Sequence, residues 1–327
     1  MAFSRVLSSS ETRGLFFTQV SMKKQIANRI AELIIILIVL SFLTFLLMYL
    51  APGDPAEKRL SSQGVAVTKE VLQAEQERMG LLRPFMVRYG EWLGGILHGD
   101  WGVSFKDDMP VAPKLVSGLK NTTILALSSL ILALIVSIPL GIASAVKKNS
   151  VLDHIVRILS FIGNALPNFL ISVLLMYFLC IVLNLFPVVA NGSIQGLCLP
   201  ALSLAIPMAG RFTRQIRTEV MEQLDQEYVT GLRTRGVRER DILINNVFHN
   251  ASGHIFTIIA LQIGTLMGGS VVIETIFRWP GIGKLVMDSI NARDYPTIMG
   301  FVLIMGTIYV VINFISDVLY HVLDPRV

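Results

Sequence analysis

Apolar residues along this chain gather into long runs separated by polar or charged connections. A helix needs about 20 predominantly apolar residues to cross a hydrocarbon layer about 30 Å thick, because each residue rises about 1.5 Å. Six segments meet or approach that length: 30–50, 121–146, 158–185, 197–208, 255–276 and 299–319. Pro167 interrupts the third near its start. The fourth carries Pro200 and Pro207 and is short unless it extends towards Phe212. The fifth is rich in small residues, among them Gly264, Gly268 and Gly269, which either let helices approach closely or leave room along a substrate pathway. The pattern predicts an all-α polytopic membrane protein with about six transmembrane helices, and it shows no repeat with a period of 20–50 residues.

Composition agrees, since 53% of residues are hydrophobic, only 16% are charged and the mean hydropathy is +0.63. The net charge of +5 does not imply nucleic acid, because the basic excess lies beside the apolar runs, as the positive-inside bias requires. Basic residues crowd the head (Arg5, Arg13, Lys23, Lys24, Arg29), the second connection (Lys147, Lys148, Arg157) and the fourth (Arg211, Arg214, Arg217, Arg233, Arg235, Arg238, Arg240). With six spans all three fall on one side, which places both termini in the cytoplasm. The remaining connections fit: 51–120 holds as many acidic as basic residues, and 184–196 holds no charge. The organisation expected is a cytoplasmic head over 1–29, a first span at 30–50 and an extracytoplasmic segment over 51–120. A transmembrane core over 121–320 with a cytoplasmic loop at 211–253 follows, and then a tail over 321–327.

The first run is too long for a typical signal-peptide core, and APGDPAEKRL after it lacks a small-residue cleavage pattern, so an uncleaved span is expected. Residues 1–21 are polar and patternless, and Met22 would make a plausible start. In the external segment, periodicity around 69–79 suggests a helix, and Trp92, Trp101 and Phe105 suit an interfacial aromatic belt. Asn121-Thr122-Thr123 matches an N-glycosylation acceptor.

One stretch breaks the apolar pattern: EYVTGLRTRGVRERDILINN, beginning at Glu227. As a helix, residues 218–235 place Val220, Leu224, Tyr228 and Leu232 four apart beside charged Glu222, Asp225, Arg233 and Arg235. Gly236 stands where a C-terminal cap belongs, and a second short helix begins near 238–241. The result is a helix–glycine–helix knuckle that either lies on anionic lipid or docks a soluble partner.

EYVTGLRTRG followed by VFHNA resembles the EAA loop of inner-membrane permeases of ATP-binding-cassette importers, in the form used by the dipeptide, oligopeptide and nickel permease family. Glu227 and Gly236 match the family's Glu and Gly, while Tyr228 and Val229 replace its paired alanines. LAPGDPA (50–56), GDWGVSF (99–105), ALPNF (165–169), VVIETIFRWPGIG (271–283), ARDYP (292–296) and the closing DPRV resemble further family landmarks in the same order. The resemblance covers about 22–327 and implies the type I ABC importer permease fold. It departs at 231–234, where relatives often carry a small-Ala-Arg-Ala pattern.

The resemblance further implies that the knuckle is a coupling helix seated on a separate ATPase subunit through Glu227, Tyr228, Leu232, Arg233, Arg235 and Gly236. It implies a second permease chain, two ATPase subunits that bind ATP and Mg²⁺, and an extracytoplasmic substrate-binding protein received by 51–120 and 278–296. No cofactor is expected in this chain. The cargo is nickel, a metal chelate or a short peptide, with the short 184–196 connection and YGEWL at 89–93 leaning towards the nickel branch. Gly264, Gly268, Gly269 and Glu274 are the candidate pathway residues.

Catalysis by this chain finds no support in its motifs. Gly281-Ile282-Gly283-Lys284 lacks the first P-loop glycine at the right distance and has Leu285 where Ser or Thr belongs. HExxH and GxSxG are absent, and His98, His154, His249, His254 and His321 are scattered without metal-ligand spacing. The rival reading is an ion-coupled secondary transporter, which needs an ionisable group at mid-depth. Glu32 and Asp317 lie near span ends and Glu274 near the external exit.

Overall fold

A computed structural model describes residues 22–190 and 192–323, with the side-chain surroundings of residues up to 30 and of several positions within 254–269 and 313–323 left aside. The expected head up to 21, the last four residues of the tail and the surroundings of Gly264 and Gly269 therefore lie outside the described residues. Among the described residues every regular element is a helix, and the one β-bridge joins Val103 to Pro110.

Helix α1 (Met22–Leu50) opens the chain. Three short helices follow in the segment expected to be external: α2 (Pro55–Ser62), α3 (Lys69–Arg78) and α4 (Phe85–Leu97). Their starts are local. Asp54 accepts the Ala56 amide at 2.8 Å ahead of Pro55, and Thr68 caps α3 through the Val71 amide. Helix α5 (Val111–Val146) is longer than the expected second span, because its first turns pack on Trp101, Ile282 and Phe301.

The third apolar run divides at Leu166–Pro167 into α6 (Val151–Ala165) and α7 (Asn168–Leu175), which continues as a π-helical stretch, Met176–Val182. The two parts meet at 101°, since Pro167 has no amide to donate and forces the preceding residue out of the helical region.

Helix α8 (Ile194–Leu224) runs far beyond the short fourth span expected at 197–208, despite Pro200 and Pro207. Packing explains its length. Leu199, Leu204, Met208, Phe212, Ile216 and Val220 are all buried along it, between α5 on one side and α6 on the other. Buried neighbours re-satisfy the backbone groups that proline frees.

The remaining helices are α9 (Glu227–Thr234), α10 (Glu239–Asp241) leading into a π-helical turn at Ile242–Phe248, α11 (His249–Gly269), α12 (Val271–Phe277), α13 (Ile282–Ala292) and α14 (Tyr295–Leu323). The expected fifth span is thus broken at Ser270. Among the described residues, α1, α5, α8 and α14 each have the length and apolarity to cross a membrane, and the bent pair of α6 and α7 is apolar enough to be either a broken span or a re-entrant loop. Helix α11, 21 residues long, stands where the fifth span was expected. Helices α1 and α6 leave large apolar side chains exposed, among them Ile35, Leu47, Ile158 and Phe161.

Candidate coupling loop and pathway residues

The charged stretch is a compact turn between α8 and α11, narrower than the 211–253 loop expected, because α8 continues to Leu224 and α11 begins at His249. Nor is 218–235 one helix. Gln226 adopts an extended conformation (φ −76°, ψ 150°) and starts α9 afresh. The break rotates the apolar register, so that Val229 joins Val220 as a fully buried residue, while Leu224, Tyr228 and Leu232 pack partly against the same cluster. The Tyr228 hydroxyl donates to Gln223 Oε1 at 3.1 Å. Much of the stripe therefore fastens the loop to its own body.

Helix α9 ends in a Schellman turn. The Val237 amide donates to the Leu232 carbonyl at 3.2 Å and the Gly236 amide to the Arg233 carbonyl at 3.0 Å. Gly236 has φ +75°, a left-handed conformation that side-chain-bearing residues resist. Across the turn Arg233 donates from Nε to Glu239 Oε1 at 2.7 Å and from Nη2 to Oε2 at 3.3 Å. This forked pair draws the Glu239 carboxyl below its usual range and raises Arg233. Asp225, Glu227, Thr230, Arg235, Arg238, Arg240 and Asp241 are exposed along with the Arg233–Glu239 pair, so the outward surface is polar and carries charges of both signs.

Behind this surface one apolar cluster runs without a gap. It joins Val229, Ile242 and Val247 of the loop to Phe212 and Ile216 on α8, Leu130 and Ala133 on α5, and Ile255 and Leu266 on α11. Close packing of this kind transmits displacement, because a dense interior compresses little.

Of the candidate pathway residues, Gly268 and Glu274 have described surroundings, and the two differ. A Cβ on Gly268 would meet nothing within 4 Å, so this glycine faces open space. Glu274 is 0% exposed. Its Oε1 accepts from the hydroxyls of Thr122 (2.7 Å) and Ser270 (2.9 Å), and its Oε2 accepts the Lys284 amide at 3.0 Å. A Cβ on Gly281 would overlap the Glu274 carboxylate, which is why the RWPGIG turn is glycine there. The same turn is fixed again by Asn121, whose Nδ2 donates to the Pro280 carbonyl and whose carbonyl accepts from Trp279 Nε1. Glu274 is thus a clamp between α5 and the turn after α12. Sequence reading missed its partners: Asn121 and Thr122 stood out only as an acceptor sequon.

The external landmarks converge as well. Asp294, fully buried, accepts from the Ser104 hydroxyl (2.6 Å), the Phe105 amide (2.8 Å) and the Thr297 hydroxyl (2.6 Å). Arg293 donates to the Pro52 carbonyl. Arg59, largely buried, donates to the Phe105 carbonyl at 2.8 Å, pairs with Asp108 and lies 3.2 Å from Glu75. Trp101 packs on Val111, Leu115 and Ile282, and Phe105 against Tyr295. These two aromatics are the core of an external cap rather than an interfacial belt. Among the described residues no three His, Cys, Asp or Glu side chains are placed to hold a metal ion.

A helical body with several membrane-length apolar helices, a charged turn and a hydrogen-bonded cap defines the class of protein. Residues 137–327 match the binding-protein-dependent transport system inner membrane component, and 22–128 match the N-terminal membrane component of the same systems. The chain belongs to this family of ABC importer permease subunits. It is 36% identical over 303 residues to the nickel import system permease protein NikB of Staphylococcus aureus strain bovine RF122 / ET3-1, covering 93% of this chain and 91% of that one. The protein of the same name from strain USA300 is 35% identical over the same lengths. Among solved structures, the inward-facing MetNI methionine ABC transporter aligns with a TM-score of 0.52 at 16% identity, covering 64% of this chain and 96% of that one. An amino acid ABC transporter with histidines gives 0.52 at 14%, covering 64% and 94%. At such identities the structural likeness speaks for the fold alone, that of the type I ABC importer permease.

Proposed function

We propose that this chain forms one half of the membrane pathway of a bacterial importer for nickel or a metal chelate, with short peptides as the alternative cargo of the same family. It lies in the inner membrane with both termini in the cytoplasm, as the basic connections favour. A binding protein delivers cargo to the external cap, a second permease chain completes the pathway, and two ATPase subunits bind ATP and Mg²⁺. The likeness to nickel import permeases over nearly the whole chain supports the cargo.

The observation that carries the mechanism is the knuckle, a rigid, outward-facing, charged turn whose apolar side is continuous with the membrane core. An ATPase groove meets Glu227, Arg233 and Arg235, where charge fixes register, together with the exposed parts of Tyr228 and Leu232 beside Gly236. Closure of the ATPase pair draws two such knuckles together. Because α8 and α11 enter the loop from either side and share one core, the pull moves them as bodies and switches the pathway from one face to the other.

The test is uptake into vesicles holding the co-purified complex, using radiolabelled nickel with and without chelators, and labelled dipeptides. Glu227→Arg and Gly236→Trp should each abolish ATP-dependent uptake and release the ATPase from a still-folded chain. Uptake indifferent to ATP, or to both substitutions, would reduce the knuckle to a membrane-surface element.

A further inference from the structure

A second charged feature lies away from the knuckle. A cavity of about 620 Å³ opens between α6 and α8, walled by His154, Arg157, Ile158 and Phe161 from one helix and Arg214 and Arg217 from the other. At its base Asp153 is fully buried and accepts from Arg217 Nε (2.8 Å) and Nη2 (2.9 Å), from the Ser144 hydroxyl (2.5 Å) and from the Asn149 amide (3.0 Å). Arg157 stands 3.6 Å from the same carboxylate and is 43% exposed. Arg214 is exposed and makes no ion pair among the described residues. One carboxylate therefore meets the Arg157 and Arg217 guanidiniums, and with Arg214 on the same wall the cavity carries a surplus of positive charge.

Depth decides what fills it. Helix α8 starts at Ile194 on the external side. At about 1.5 Å per residue a hydrocarbon layer of about 30 Å ends near the twentieth residue, which is the level of Arg214. Helix α6 begins at Val151 at the level of Arg214, the cytoplasmic side in the orientation proposed above, so His154 and Arg157 lie at the rim while Ile158 and Phe161, 59% and 65% exposed, lie deeper. A basic rim at headgroup level above an exposed apolar floor matches an amphiphile with a negative head. A free anion has no use for the floor.

We propose that this cavity seats the headgroup of an anionic phospholipid in the cytoplasmic leaflet. The phosphate takes charge-assisted hydrogen bonds from Arg157 and Arg214, and an acyl chain lies along Ile158 and Phe161. Arg217, held by Asp153, positions the wall. The leaflet, though not the site, rests on the orientation proposed above, and neither cargo nor ATPase docking enters the argument.

The test purifies the whole complex from nanodiscs of equal phosphatidylglycerol and phosphatidylcholine and counts retained lipids by native mass spectrometry. Wild type should retain phosphatidylglycerol preferentially, and Arg157→Gln/Arg214→Gln should lower that preference by about 30-fold, the effect of two basic residues beside an anionic surface. Thr218→Glu, which adds a negative charge to the same wall, should lower it without removing either arginine. Unchanged retention in these variants overturns the proposal. So does displacement of the lipid by inorganic phosphate, which would mark a free-anion site. Efficient crosslinking of Phe161→Cys to the second permease chain would mark a protein interface and overturn it equally.

Discussion

A carboxylate sealed from water must find its donors inside the protein, and Glu274 finds them on three different segments: Thr122, Ser270 and the Lys284 backbone. Hydrogen bonds to a charged group contribute about 1.5–3 kcal/mol each, more than neutral ones. Thr122→Val should therefore lower stability by about that much, because Ile282 also loses the hydroxyl that its amide donates to. Glu274→Gln turns an amide donor towards groups that are themselves donors, and should cost at least as much. The two changes together should be markedly less than additive, since either one dismantles the same clamp. Thermal unfolding of the purified single and double variants measures this, and strict additivity would mean that the clamp is no unit. At Gly236 the backbone sets the preference. Alanine at φ +75° should cost about 1–2 kcal/mol while asparagine costs less, and faster hydrogen exchange at the Val237 amide would report the loosened Schellman turn.

The knuckle works as an element only if its two arms move together, and the Arg233–Glu239 pair is what ties them. Both side chains are exposed, so salt should weaken the tie. Exchanging the charges, Arg233→Glu with Glu239→Arg, should restore the tie, read as the hydrogen-exchange protection of the Val237 amide that either single change lowers, while ATP-dependent uptake stays impaired because Arg233 also meets the ATPase. Full recovery of uptake in the exchanged variant would show that Arg233 serves the turn alone. The presence of this knuckle was legible because its signals are local: a glycine at a cap, a charge run and a short spacing. Its internal break was not. Helical periodicity carried straight through Asp225 and Gln226, and only the burial of Val229 against α8 and α11 breaks the helix there. The same holds for α8, whose two prolines argued for a short span that packing on both flanks overrode. Pro167, by contrast, bends its helix where the sequence placed it, because no neighbour supplies the missing donor on a largely exposed segment.

At the scale of the molecule, the external landmarks prove to be neighbours. Residues from 50–56, 99–105 and 292–296 meet around Asp294, Arg293 and Arg59, although nearly 200 positions separate Ser104 from Asp294. Their order along the chain was visible, but which side chains met was not, since hydrogen bonds between distant segments leave no periodicity. The cap they form joins α2 and the 99–110 segment to the ends of α13 and α14, so its closure belongs to the whole body. Asp108 gives a handle on it. Its carboxyl is held below the usual carboxylate range chiefly by the hydrogen bonds from Arg59, with Arg78 adding to the attraction. A group whose folded value is depressed contributes its full stabilisation above its unfolded value, about 3.9 for Asp, and loses it as pH falls through the lowered folded value. Because Asp108 is about half exposed, solvent screens part of that contribution. The cap should therefore stay closed from neutral pH down to about 4 and loosen only on further acidification. Arg59→Gln should loosen it already at neutral pH and remove the acid step. Pulsed hydrogen exchange over residues 99–110, read across that pH range, distinguishes the two patterns. An acid step of equal size in Arg59→Gln would show that Asp108 is not the group whose protonation loosens the cap.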